Sequence, residues 1–289
     1  IVVWSTTPLG IAWSNATLNP IAAVSIRMCL AAMLGLMVLK ILRIQVLWTR
    51  KAFKTYSYSL LGIFGALICT YYAAGFVPSG LISIVYALSP VISNLLSVVI
   101  IGENNLTRSK VAGFTLSFFG MFIICFDDWV IYENGWIGLC LLLFAVTLYS
   151  LGGVLVQKEK LKVHPLSLTV GTLVLSTPLF FVAWLILDGA LPVLDWSSTS
   201  PWAVIYLAVF GSLVGFACYF YIVQSMGASA VAMVTLMTPI LALIIGNLFN
   251  GEPITTQMIA GTLFVLIGLA IYYQFKPVFR LKYLRFPFT

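Results

Sequence analysis

Charge is what this sequence has least of. Only 8% of its 289 residues are Asp, Glu, Lys or Arg, while 62% are hydrophobic and the mean hydropathy is +1.09. Soluble domains average about 25% charged residues, so too few are present to cover a water-exposed surface. In water such a composition would leave large apolar patches exposed and would aggregate. A lipid solvent removes that difficulty, and the membrane class follows before any motif is read. Histidine is almost missing too: His164 stands alone, which argues against a His-based metal or acid–base centre. The five cysteines (Cys29, Cys69, Cys125, Cys140 and Cys218) fall inside apolar stretches, none with CxxC spacing. They read as small buried hydrophobes, and no cofactor is implied. No cleavable signal peptide is visible. The apolar stretch ahead of Asn15 is short for a hydrocarbon core of roughly 30 Å at ~1.5 Å per residue. Because the chain begins at Ile1 rather than Met, further residues are expected in front of it.

Long continuous apolar runs are what the sequence has instead. They occupy 1–15, 20–42, 57–76, 79–101, 108–126, 135–157, 165–187, 201–225, 228–249 and 255–275. Most approach the ~20 residues a helix needs to cross a bilayer, and runs this long without alternation are not barrel strands. The expectation is an all-α membrane protein of ten transmembrane helices. Basic residues give an independent check. With both termini cytoplasmic, the inner loops carry Lys40, Arg43, Arg50, Lys51, Lys54, Arg108, Lys110, Lys158, Lys160 and Lys162. A basic tail over 276–289 adds Lys276, Arg280, Lys282 and Arg285, so 14 of the 15 Lys and Arg residues share one side. Asp127, Asp128, Glu133, Asp188, Asp195 and Glu252 fall on the other. A wrong span count would scatter the positive charge over both faces, so the split supports ten spans, N-in and C-in. The net charge of +7 is then a matter of topology rather than of a nucleic-acid partner, and a bacterial inner membrane is the expected location.

Sliding the chain on itself by 149 positions aligns Gly62 with Gly211, Cys69 with Cys218, Tyr72 with Tyr221, Val85 with Val234, Pro90 with Pro239, and Gly102-Glu103 with Gly251-Glu252. After a one-residue slip Gly113 and Gly120 match Gly261 and Gly268, and a shift of 145 pairs Trp4 with Tyr149 and Pro20 with Pro165. Each unit, 1–127 and 128–275, holds five spans. An odd number forces the second unit to enter the bilayer from the opposite face. Two inverted five-helix repeats are the arrangement of secondary transporters, whose sites sit near the midplane where the repeats meet.

These residues resemble a family. Arg27-Met-Cys-Leu-Ala31, then Ser89-Pro90, Gly102-Glu103, Gly113 and Gly120, and the copy Thr238-Pro239, Gly251-Glu252, Gly261 and Gly268 are similar to the motifs of the EamA-type drug/metabolite transporter superfamily. The resemblance covers nearly the whole chain; the first copy departs by one extra residue between Glu103 and Gly113. It implies a ten-helix fold with a central cavity lined by spans 1–4 and 6–9, spans 5 and 10 lying at the periphery. Its members move amino acids, sugars, nucleotide derivatives and drugs, so it implies a fold more closely than a substrate.

Pro90 and Pro239 each stand halfway along a span, where a proline removes a backbone hydrogen bond and clashes with the preceding turn. They read as a symmetry-related pair of gating hinges, or as static kinks. Arg27 is the one charged residue well inside a span, at an insertion cost of about 2.5–3.5 kcal/mol. It could hold a carboxylate or phosphate; it could equally cap carbonyls or snorkel outward, and its repeat partner is Thr172. Trp4, Tyr149, Tyr72 and Tyr221 occupy repeat-related positions in cavity-lining spans, and Tyr86 and Asn94 lie a turn either side of Pro90. Together they could form an amphipathic pocket with aromatic walls and polar handles. Gly113, Gly120, Gly261 and Gly268, seven apart in each copy, read as close helix packing, Glu103 and Glu252 as turn or loop hydrogen bonders, and His164 as a helix cap.

No Asp or Glu lies in mid-membrane. That favours facilitated diffusion, or coupling through an edge group such as Glu103 or Asp127, and counts against a cation antiporter with an embedded carboxylate. The expected function is export of a small metabolite such as an amino acid, by alternating access of the two repeats, with the lipid bilayer and the carried molecule as the partners. A membrane enzyme acting on lipid-linked substrates would need clustered His, Asp or Ser groups at an interface, and none is found. A scaffold or sensor that moves nothing would have a closed interior. A phosphorylated or nucleotide-sugar substrate would call for several basic groups in the cavity, where only Arg27 is available.

Overall fold

Helix starts in this chain are written by cap residues. The Asn19 side chain accepts from Ile21 N at 3.1 Å with Pro20 opening the helix, and Thr49 accepts from Ala52 N at 3.2 Å. His164 Nδ1 accepts from Leu166 N at 3.3 Å ahead of Pro165. A computed structural model describes residues 1–102, 107–131, 134–159, 161, 163–225 and 228–272, and all regular structure among them is helical. Glu103, Glu133, Lys160, Lys162 and the basic tail lie outside the described residues, as do the side chains of Cys125, Asp127, Asp128 and Val234.

The order is α1 (Val2–Ser14), α2 (Pro20–Ile41), α3 (Arg50–Leu60), α4 (Ala66–Ala73), α5 (Ser79–Tyr86), α6 (Ser89–Ile101), α7 (Arg108–Ile131), α8 (Gly135–Glu159), α9 (Pro165–Leu187), α10 (Ser200–Tyr206), α11 (Gly215–Ser225), α12 (Ala228–Asn250) and α13 (Thr256–Tyr272). Six described stretches are long and apolar enough to cross a bilayer: Pro20–Ile41, Arg50–Ala73, Ser79–Ile101, Gly135–Glu159, Pro165–Leu187 and Ser200–Ile222. Their outward faces are apolar, with Val99 83% and Ile186 77% exposed, surfaces that only lipid would cover. The chain is a multi-pass membrane protein.

Arg50–Leu60 starts seven residues before the apolar run at 57. Its first turns are polar and escape hydropathy; Lys54 there pairs with Glu159 at 2.7 Å, joining α3 to the end of α8. Two stretches leave the α register. Leu61–Gly65, between α3 and α4, and Leu207–Val214, between α10 and α11, are π-helical, and the glycines at 62 and 211 sit inside them at the 149-residue spacing. Such bulges recur at functional sites.

The two prolines differ. Around Pro90 the span is broken: Ala87 and Leu88 separate α5 from α6, Leu88 N turns back to Val85 O at 3.0 Å, and Pro90 sits in the first turn of α6. Pro239 lies inside the continuous α12. Gly102 and Gly251, again 149 apart, end α6 and α12 with φ of +82° and +62°, left-handed conformations that glycine adopts without strain.

The helices α7 and α13 pack antiparallel through their glycines. A Cβ on Gly113 would run into Gly268 O, and one on Gly120 would meet Gly261 O at 2.6 Å. Between them Ser117 Oγ donates to Val265 O at 3.2 Å. A buried cluster runs through α2, α4, α9 and the second π-helical segment; another joins α5 and α6 to α7, α8 and α13.

Candidate functional site

A cavity of about 130 Å³ lies among α1, α2, the α3–α4 pair, the α5–α6 pair, α8, the α10–α11 pair and α12. At roughly 10–15 Å³ for each water, it has room for on the order of ten of them, or for a small organic molecule. Ser83, Tyr86 and Ser89 reach it from either side of the broken span, and Thr7, Pro8 and Ile11 reach it from α1. Three pairs of lining residues are separated by 149 positions, Gly62 with Gly211, Leu67 with Phe216 and Ser89 with Thr238.

Four of the candidate residues meet here: Trp4, Arg27, Tyr86 and Tyr149 all line the cavity. Their rings form a row through Tyr219, which lies 6.1 Å from Trp4 and 5.5 Å from Tyr149; Tyr149 in turn stands edge-on to Tyr86 at 5.7 Å. Such contacts are worth about 0.5–1.5 kcal/mol each and hold the walls in place. The Tyr86 hydroxyl shares a hydrogen bond of 2.8 Å with Thr70. Arg27 is 1% exposed; its Nε donates to Ser212 Oγ at 2.8 Å and Nη1 to the Tyr71 hydroxyl at 3.3 Å. It neither caps carbonyls nor snorkels outward.

Three candidates lie elsewhere. Tyr72 packs against the α2–α9 cluster; helical geometry turns it some 100° away from Tyr71, whose hydroxyl reaches Arg27. Asn94 donates to the Tyr272 hydroxyl, joining α6 to α13 a turn beyond the cavity. Tyr221 is 43% exposed on α11. Pro90 and Pro239 border the cavity through their preceding residues, Ser89 and Thr238. Sequence reasoning missed Tyr71, Tyr219 and Ser212. The signal for Ser212 was available, since it follows the repeat-matched Gly211.

At the bundle end that bears Asn15 and Asn250, the elements are fastened to one another. Trp13 Nε1 donates to Asn250 Oδ1 at 3.0 Å, Ser200 Oγ to Trp13 O at 2.8 Å, and Asn15 Nδ2 to Tyr71 O at 2.7 Å. Glu252 Oε2 accepts from Ser79 Oγ at 2.9 Å and from Gly80 N at 3.4 Å, capping α5 with a carboxylate at its positive dipole end. The expected hydrogen-bonding role of Glu252 is thus a helix cap on another span. Among the described residues no cluster of three His, Cys, Asp or Glu could hold a metal ion.

The profile of the EamA-like transporter family matches residues 1–126 and again 136–274. A protein of Archaeoglobus fulgidus named "Uncharacterized transporter" is 26% identical over 94% of this chain and 95% of its own length. Protein PagO of Salmonella typhimurium is 25% identical over 93% of this chain and 88% of its own. In Escherichia coli, a protein named "Probable amino-acid metabolite efflux pump" is 26% identical over 67% of each chain. One crystal structure, 15% identical, superposes with a TM-score of 0.71 over 93% of this chain and 92% of its own, a likeness of fold alone.

Proposed function

The chain belongs to the EamA-like transporter family, and from that premise we propose that it exports a small metabolite such as an amino acid by alternating access. The ten spans form two inverted five-helix repeats in a bacterial inner membrane, with both termini and the basic loops in the cytoplasm. The two repeats rock about the cavity, and Pro90 and Pro239 let their spans bend as it changes side.

One observation carries the reading: a cavity in the middle of a lipid-exposed bundle, lined by polar and small residues that recur at the repeat spacing, Gly62 with Gly211 and Ser89 with Thr238. A scaffold has no need of such a space. The name of the Escherichia coli relative supports metabolites of amino acids as the class to test first. Purified protein in liposomes preloaded with a radiolabelled amino-acid panel should release at least one compound faster than protein-free liposomes. Ser89→Phe together with Thr238→Phe, which fill the cavity, should stop that release. Release that persists in the filled variant would place the path elsewhere and end the proposal.

A further inference from the structure

The cavity holds a cation that no carboxylate among the described residues balances. Arg27 is all but fully buried, yet its two engaged donors meet neutral hydroxyls, on Ser212 and Tyr71. Among the described residues the one ion pair joins Lys54 to Glu159, between α3 and the end of α8, and no described Asp or Glu lines the cavity. An unpaired charge in a low-dielectric interior is costly, and an arginine in that position calls for an anion. Its Nη2 end borders the cavity at a point that only a glycine leaves uncovered. Nη2 lies beside Gly211, where even a Cβ would come within 3.1 Å of it and within 3.5 Å of Thr7 Oγ1, and Gly211 and Thr7 both line the cavity. Ser212 engages Nε and Tyr71 engages Nη1, which leaves Nη2 as the donor beside Gly211 and Thr7.

We infer that Arg27 is the anchor for the anionic group of the carried molecule, and that the substrate class is small organic monocarboxylates with an apolar or aromatic body. The inference rests on the transporter reading of this cavity and deepens it. One guanidinium balances one negative charge; a phosphate dianion would need further cations, which the lining lacks. The body of the molecule lies along the rings of Trp4, Tyr86 and Tyr149. An ammonium group finds only hydroxyls and ring faces there, so a carboxylate without an amine fits at least as well as a zwitterion.

The test is thermal unfolding of the full chain in detergent with 3-phenylpropionate, L-phenylalanine or phenethylamine at matched millimolar concentration, run beside flux of the same compounds in proteoliposomes. The two carboxylates should raise the unfolding midpoint and the amine should not. Arg27→Met should weaken the carboxylate response by roughly ten- to a hundredfold in apparent affinity, as expected for one charge-assisted hydrogen bond. Its ligand-free midpoint should hold or rise, because an unbalanced buried charge has been removed; a merely structural arginine would lower it. Should Arg27→Met fail to fold, Arg27→Lys serves: a compact ammonium held by neither fork should bind the carboxylates more weakly, and a response equal to wild type overturns the inference. Carboxylates without effect, or an amine that stabilises as well as they do, overturn it too. Carboxylate-dependent stabilisation without flux would uphold the anchor and discard the carrier. Amine flux that is equal in wild type and Arg27→Met would discard the anchor and uphold the carrier.

Discussion

Gly120→Ala puts the packing of α7 on α13 to a quantitative test. A Cβ at this position would lie 2.6 Å from Gly261 O, 2.7 Å from Phe264 Cβ and 2.7 Å from Val265 N. Ordinary contact begins near 3.4 Å, so the two backbones must part by roughly 0.8 Å. No side chain can swing aside to absorb this, because two of the three obstructing atoms are backbone. A shift of that size carries the Ser117–Val265 hydrogen bond, now 3.2 Å, out of range and forfeits about 1 kcal/mol. Overpacking adds about 1–3 kcal/mol, and the better helix propensity of alanine returns about 1 kcal/mol. The net loss is about 1–3 kcal/mol. At about 2–4 °C for each kcal/mol, the unfolding midpoint in detergent, followed by intrinsic tryptophan fluorescence, should fall by roughly 2–12 °C. Gly62→Ala is the control: its Cβ meets Tyr149 Cδ2 at 3.4 Å, so the midpoint should stay or rise. A Gly120→Ala protein as stable as wild type would refute the close packing and, with it, the antiparallel seating of the two helices.

Other perturbations have defined signs. Glu252→Ala removes the acceptor for Ser79 Oγ, Gly80 N and Asn250 Nδ2, and should cost about 1–2 kcal/mol as a lost helix cap, visible in the same midpoint. Tyr71→Phe deprives Arg27 Nη1 of its acceptor and should destabilise by about 1 kcal/mol or more, while Tyr72→Phe should be near neutral, a contrast that unfolding curves resolve. In the loop between α9 and α10, Ser197 donates to Asp195 from Oγ at 2.6 Å and from N at 3.0 Å, which holds the carboxyl below its usual pKa. Because the folded value is the lower one, this turn is fully stabilised above the unfolded carboxylate pKa and loosens as pH falls through the folded value. Hydrogen exchange at the Ser197 amide, corrected for its intrinsic rate, should show protection fading in that acid window.

The membrane class, the helical spans and the glycine seam were legible because each rests on a periodicity or a composition that one sequence displays. Gly113, Gly120, Gly261 and Gly268 announce a seam because only a missing side chain lets backbones meet. Helix boundaries set by caps were less visible: Thr49 starts α3 in a polar stretch that no hydropathy window favours. The site was legible in part. Arg27 stands out by its charge alone, and Trp4 and Tyr149 by their repeat pairing. Tyr72 drew attention over Tyr71 because it is identical at the 149-residue spacing, whereas which of the two reaches Arg27 depends on helical phase. Both π-helical segments shift that phase, and neither declares itself in composition.

Pro90 and Pro239 are equivalent in the sequence and not in the structure, and that difference bears on how the molecule would move. Two inverted halves in the same conformation would close both ends alike; access from one side requires equivalent segments to differ, and access from the other requires them to exchange shapes. Here Ser79–Ile101 is broken at Ala87 and Leu88 while α12 runs through, and the end bearing Trp13 and Asn250 is fastened. If the halves rock as proposed, the opposite state has a continuous 79–101 span and an α12 broken near 236–237. A proline inside a continuous helix costs about 3 kcal/mol, so each proline opposes one of the two states. Pro90→Ala should then favour the state open at the fastened end, and Pro239→Ala should favour the one described. A bias of about 1.4 kcal/mol is tenfold in population. Ser83→Cys, placed in the cavity of a background lacking the native cysteines, reports it through its labelling rate with a membrane-impermeant maleimide added at that end. Pro90→Ala should raise the rate and Pro239→Ala should lower it. Rates that move together, or not at all, would mean that the prolines are fixed kinks and that the asymmetry between the two spans is permanent.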